Sequence, residues 1–181
     1  MCPMSPTRAG DPRVGPDRRQ LPDEPKVRGV RASNNSTLID LPIDEAFDLI
    51  TDASCYPEWL VGAQEIRHVD AEWPAIGASF VHRIGFGRAR VPGSTTVREI
   101  ERPSCLVLAA GMGPLGEATV RFELRAVGAG TEVTVLEQPA TGLARLGWYL
   151  ARPVVFSLLW GRNELSLSQL SQLAEQRSVA G

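Results

Sequence analysis

The sequence predicts an α+β fold: a curved antiparallel sheet with a helix lying across its mouth. Three observations carry this. Two short helical segments fall between Leu41 and Trp59 (LPIDEAFDLITDASCYPEW), only strand-like segments follow as far as Gln138, and an amphipathic stretch closes the chain. Elements in that order build a cup, and a cup of this kind holds an apolar small molecule.

The first 25 residues contain six prolines and almost no large apolar side chains, so they cannot bury enough surface to offset their ordering entropy. They read as a disordered tail ahead of one domain over residues 26–178. A chain of 181 residues suits that plan, and such a domain can bury roughly 70% of its unfolded surface. Val27 to Leu41 reads as a first strand with weak alternation around the polar Asn34-Asn35-Ser36. Pro42-Ile43-Asp44-Glu45 then starts a helix, because proline is tolerated in a first turn and the two carboxylates complement the helix dipole there. Ala46, Phe47 and Ile50 form its buried stripe. Asp52 to Leu60 is a second short helix, with Pro57 tolerable only near its start.

Six candidate strands come next: Gln64 to Ala71, Ala78 to Gly85, Arg88 to Glu101, Cys105 to Met112, Glu117 to Ala126, and Thr131 to Gln138. The breaks between them are rich in Gly and Pro at hairpin spacing, as in Trp73-Pro74 with Gly77 and in Gly128-Ala129-Gly130. Val120, Phe122 and Leu124 alternate with Thr119, Arg121, Glu123 and Arg125, the pattern of a sheet with one dry and one wet face. Strands turning over without intervening helices pair antiparallel. Pro153 interrupts the last region, which predicts a short helical lead-in from Leu143 to Ala151 and a main helix from about Pro153 to Gln176. Val155, Leu158, Leu159, Leu165, Leu170 and Leu173 supply its expected buried stripe, with Arg162, Asn163, Glu164 and Gln172 on or near the wet side.

Composition excludes several functions. The net charge is -2 with mixed signs, so no basic field points to nucleic acid. Only Lys26 among the nineteen basic residues is lysine, a skew that reflects GC-rich coding rather than phosphate binding. Cys2, Cys55 and Cys105 have no C-x-x-C spacing, which predicts reduced thiols. The two histidines, His68 and His82, sit near no cysteine, so no metal and no cofactor is expected. The N-terminus lacks the apolar core of a secretory signal, which predicts a cytoplasmic protein. Leu146 to Trp160 (LGWYLARPVVFSLLW) is too short and broken to span a bilayer, and it reads as tunnel lid and buried helix, with weak surface contact to a membrane as the other option. G-x-S-x-G, H-E-x-x-H and phosphate-cradling glycine loops are all missing.

Pro42-Ile43-Asp44-Glu45-Ala46-Phe47, Thr51-Asp52, Tyr56-Pro57-Glu58-Trp59, Trp73-Pro74-x-x-Gly77, Gly130-Thr131-x-Val133 and Arg162-Asn163 follow one another in a telling order. Over roughly Val27 to Arg177 the chain resembles the helix-grip superfamily, which includes START lipid-transfer domains, the birch-pollen-allergen fold and the polyketide cyclase/dehydrase group. The resemblance implies a seven-stranded curved antiparallel sheet wrapped around the last helix, with a tunnel between them. It also implies ligands such as sterols, fatty acyl groups, isoprenoids or polyketides. It does not fix an activity, since carriers, sensors and cyclases share this scaffold.

Side chains on the concave face decide what such a tunnel does. Phe80, His82 and Ile84 share one face of their strand, and parity favours that face pointing inward. His82 is then a general acid/base or a hydrogen-bond donor to a ligand carbonyl, or else an imidazole tied to a neighbouring carbonyl at the rim. Glu137 keeps the register of Val133 and Val135, which places a carboxylate at the tunnel wall, paired with His82 or an arginine, or wet at the strand end. Tyr56 and Trp59 each offer a polar handle on a packing ring. The expected ligand wall is Trp59, Phe80, His82, Ile84, Leu108, Phe122, Val135 and Leu158, with His82, Glu137 and Tyr56 as the acid–base candidates.

The function this favours is non-catalytic binding or transport of a hydrophobic small molecule by enclosure. The tunnel would open by the Trp73 to Gly77 loop or the Thr141 to Arg152 segment. The alternative is a cyclase/aromatase that moves protons on a poly-carbonyl chain, which needs two acid/base groups within reach of one ligand position. The mainly Val, Leu, Phe and Ile wall leans toward the carrier.

Overall fold

The structure is a computed structural model that describes residues 33–86, 89–111, 116–141 and 152–180. It begins with β1 (Ser33–Ile39), α1 (Ile43–Thr51), a 3-10 turn (Ala53–Cys55) and α2 (Tyr56–Trp59). The strands β2 (Ala63–Val69), β3 (Ser79–Phe86), β4 (Ala89–Glu101), β5 (Cys105–Gly111), β6 (Glu117–Val127) and β7 (Gly130–Pro139) follow, and α3 (Arg152–Ala180) ends the chain. The expected tail over residues 1–25, the start of the expected first strand and the lead-in helix Leu143–Ala151 lie outside the described residues.

All seven strands form one antiparallel sheet in the order β1-β7-β6-β5-β4-β3-β2. The architecture is the α+β helix-grip arrangement, with the two short helices after the first strand and the long helix packed on β1 and α2. Consecutive strands pair because their connections are short. Val127 faces Gly130 across a two-residue loop, and Gly128 takes φ +62° there, a conformation that strains side-chain-bearing residues. β2 at the sheet's end is irregular, with register shifts between Ala63 and Glu65 and between Ile66 and His68.

α1 starts behind Pro42 and carries Asp44 and Glu45 in its first turn. It ends at Asp52, whose side chain accepts from the Ser54 backbone N–H at 3.1 Å and so opens the 3-10 turn. The buried face of α1 is Ala46, Phe47, Leu49 and Ile50. It packs into a core with Val97 and Leu106 of the sheet and Leu170 and Ala174 of α3. Burying each large member of this set contributes about 1.5–3 kcal/mol.

The expected buried stripe of the last helix needs correction. Leu158 is 69% exposed and Leu165 is 59% exposed, while Asn163, Ser166, Leu167, Leu170 and Ala174 are buried. Leu158 and Leu165 stand roughly opposite Asn163, Leu167, Leu170 and Ala174 at 3.6 residues per turn. Asn163, expected on the wet side, is inside, and Arg162 is only half-exposed. The physical reason is that this helix turns a partly polar face to the sheet. Among the described residues no helix is long and apolar enough to cross a membrane.

Candidate ligand cavity

Between the sheet and α3 lies a cavity of about 70 Å³. Leu108 and Ala110 of β5, Val120 and Phe122 of β6 and Val135 of β7 make an apolar floor. Tyr56 and Trp59 of α2 close one end, His82 and Ile84 of β3 form a side wall, and Arg162, Asn163, Ser166 and Leu167 of α3 form the roof. The rim is half-buried at Leu60, Val61 and Gly62, which join α2 to β2. Ser166 ties roof to rim: its hydroxyl accepts from the Val61 backbone N–H at 3.0 Å and donates to the Arg162 carbonyl at 2.9 Å.

His82 is 3% exposed. It sits opposite Gly93 in the β3–β4 ladder, and a Cβ at Gly93 would lie 2.7 Å from His82 Nε2. The glycine therefore makes the room that the imidazole occupies. Neither ring nitrogen has a hydrogen-bond partner, and burial pushes the imidazole pKa below its ordinary value, so the ring is neutral at pH 7. Tyr56 stacks edge-on against Phe80 at 4.8 Å and lies 5.0 Å from Trp59. Burial, helped by the Asp52 charge, pushes its phenol pKa far up, so it remains a neutral hydroxyl. Glu137 accepts from Arg162 Nη2 at 2.5 Å, with 5% of the carboxylate side chain and 26% of the arginine side chain exposed. The same Nη2 donates to Asn163 Oδ1 at 3.1 Å.

Among the described residues, six buried polar atoms have no hydrogen-bond partner: Tyr56 Oη, Trp59 Nε1, His82 Nδ1 and Nε2, Arg162 Nε and Asn163 Nδ2. Every residue that owns one of them lines this single cavity. Buried polar groups elsewhere in proteins are almost always paired, because each one left bare costs about 1–3 kcal/mol.

Of the residues expected from the sequence, Trp59, His82, Ile84, Leu108, Phe122 and Val135 line the cavity, as do Tyr56 and Glu137. Phe80 does not. It is fully buried among Tyr56, Trp73 and His82, with ring centroids 4.8–5.3 Å away. Leu158 does not, because it faces outward on α3. Glu137 pairs with Arg162 rather than with His82. Trp73 of the expected opening loop is pinned, its ring against Phe80 and its Nε1 donating to the Thr51 carbonyl at 2.6 Å. The other expected opening, Thr141 to Arg152, lies outside the described residues for most of its length. Sequence reasoning missed Arg162, Asn163, Ser166 and Thr95 as cavity residues. A glycine inside the strand at Gly93 was the available signal for a crowded neighbour.

At about 70 Å³ the cavity holds on the order of five waters and falls short of the ~150 Å³ that accepts benzene. The space is partly open rather than sealed, so this volume does not cap the size of an occupant.

Comparison with known proteins places the fold. The sequence profile of the Activator of Hsp90 ATPase homolog 1-like protein family matches residues 40–151. No curated protein matches the chain. Among solved structures, TTHA0849 from Thermus thermophilus is 14% identical with a TM-score of 0.63, covering 81% of this chain and 99% of that one. The Zhui aromatase/cyclase from a Streptomyces species is 11% identical with a TM-score of 0.61, covering 82% of this chain and 95% of that one. The di-domain ARO/CYC StfQ of the steffimycin biosynthetic pathway is 12% identical with a TM-score of 0.62, covering 81% of this chain and 52% of that one. At these identities the likeness is one of fold.

Proposed function

The chain belongs to the Activator of Hsp90 ATPase homolog 1-like protein family, and we propose that within this fold it works by enclosing a small hydrophobic molecule in the interior cavity. One observation carries the reading: the residues that own the six unpartnered buried polar atoms all line one cavity with a mainly apolar wall. Enclosing a single-ring molecule that loses roughly 150 Å² of apolar surface gains about 4 kcal/mol. Association itself costs about as much or more. The polar contacts therefore decide whether the molecule stays.

Native mass spectrometry of the protein purified from its own host tests this. The expected result is a noncovalently bound small molecule that disappears in Leu108→Trp, whose added ring fills the floor of the cavity. A bound mass that persists in the folded Leu108→Trp protein, or no bound mass in any preparation, would sink the reading.

A second reading, acid–base chemistry of the polyketide cyclase kind, is favoured by one feature. A neutral, unpartnered His82 and the Tyr56 hydroxyl share the cavity, so one group can take a proton while the other donates to a carbonyl oxygen. His82→Ala separates the two. Affinity for the co-purified molecule stays within a few-fold under enclosure, whereas under catalysis conversion of that molecule is lost.

A further inference from the structure

The six unpartnered atoms differ in what they can do. Trp59 Nε1, Arg162 Nε and Asn163 Nδ2 only donate. The Tyr56 hydroxyl both donates and accepts, and the neutral His82 ring supplies one donor and one acceptor. No atom in the set only accepts, so the residues around the cavity hold an excess of unpartnered N–H and O–H groups. The orientation of Asn163 follows from its neighbour. Arg162 can only donate, so the amide oxygen must face it at 3.1 Å, which leaves the NH₂ unpartnered.

Charge is balanced within the same wall. Among the described residues lining the cavity, Arg162 and Glu137 are the only charged ones, and they meet at 2.5 Å. The guanidinium that would attract an anion is therefore already neutralised. A second anionic oxygen beside Glu137 would meet a like charge in a poorly screened space, where repulsion is strong. We propose that the occupant is an uncharged molecule rich in hydrogen-bond acceptors, and that Glu137 sets this preference by acting as the built-in counter-ion of Arg162. The inference rests on the enclosure reading above and narrows it: ketones, esters and ethers on an apolar skeleton are admitted, whereas carboxylates are rejected.

Acetophenone and benzoate test it, since they share a ring and nearly a shape but differ in charge. Each is titrated into the full-length protein, and the Trp59 indole N–H cross-peak, assigned with Trp59→Phe, is followed by NMR. Acetophenone should bind the wild type at least about tenfold more tightly than benzoate, and Glu137→Gln should reverse that order by freeing the guanidinium for a charge-assisted contact. Glu137→Gln/Arg162→Gln, which removes both charges together, should bind the two probes alike. Equal binding of both probes to the wild type overturns the charge inference while leaving enclosure standing, as does an unchanged ratio in folded Glu137→Gln. If neither probe shifts the Trp59 signal at millimolar concentration, enclosure fails and this inference fails with it.

Discussion

Arg162→Met leaves the Glu137 carboxylate, with only 5% of its side chain exposed, without its guanidinium. Stranding one member of a buried pair costs about 3–5 kcal/mol, because the remaining charge keeps its desolvation penalty and loses its partner. For a domain of this length that is a fall in Tm of roughly 6–20 °C. Glu137→Leu should cost less, about 2 kcal/mol, because 26% of the Arg162 side chain is exposed and the freed guanidinium can draw on water. The double variant Arg162→Met/Glu137→Leu replaces the pair by apolar groups against an apolar floor, and should recover most of the loss. Urea unfolding of the four proteins, with m-values compared, gives the cycle, and a coupling of at least about 2 kcal/mol is expected. An Arg162→Met protein within about 1 kcal/mol of wild type, or a double variant that falls by the sum of the singles, would refute the assignment of this pair as buried and mutually dependent.

His82 makes stability depend on pH in a window of its own. Burial lowers its pKa in the folded state, so as pH falls through the ordinary 6.5 the unfolded chain takes up the proton first; stability present above 6.5 drains away below it. The slope approaches about 1.4 kcal/mol per pH unit at most, and His82→Gln should flatten it just below pH 6.5 in denaturant titrations; identical slopes would contradict a buried neutral imidazole. Asp52 and Asp70, whose pKa values are lowered, act only in a more acidic range and leave this window clear. Gly93→Ala should destabilise by about 1–3 kcal/mol. The new Cβ would lie 2.7 Å from His82 Nε2, 2.8 Å from Ile84 Cδ1 and 3.0 Å from the fixed Gly111 carbonyl; an unchanged urea midpoint would refute the crowding.

The strands were legible in the sequence because short connections and period-two alternation leave little choice of partner. Glu137 was legible as an inward residue for the same reason: it shares parity with Val133 and Val135, and the β7 burial pattern alternates along that register. Phe80, His82 and Ile84 also share a face, yet only the last two reach the cavity. Phe80 lies at the start of β3, where the rings of Tyr56 and Trp73 pack against it. Parity gives the face of a residue and says nothing of its position along the cup. α3 was the least legible element. Its outward row contains Val154, Leu158 and Leu165, while its inward row contains Arg162, Asn163 and Ser166. A helix that roofs a polar-studded cavity inverts the usual apolar-inside pattern along part of its length, so hydrophobicity points the wrong way there. The partner of Glu137 was hidden by the same inversion.

The two register offsets in β2 bear on how the molecule behaves among copies of itself. An outermost strand with a regular row of free amides and carbonyls invites strand addition and, at high concentration, fibril growth. β2 breaks that row twice in seven residues, and its side chains include exposed Glu65, Arg67 and His68. A neighbouring molecule can match only short stretches of it before the ladder slips out of phase, which guards the open flank of the sheet against aggregation.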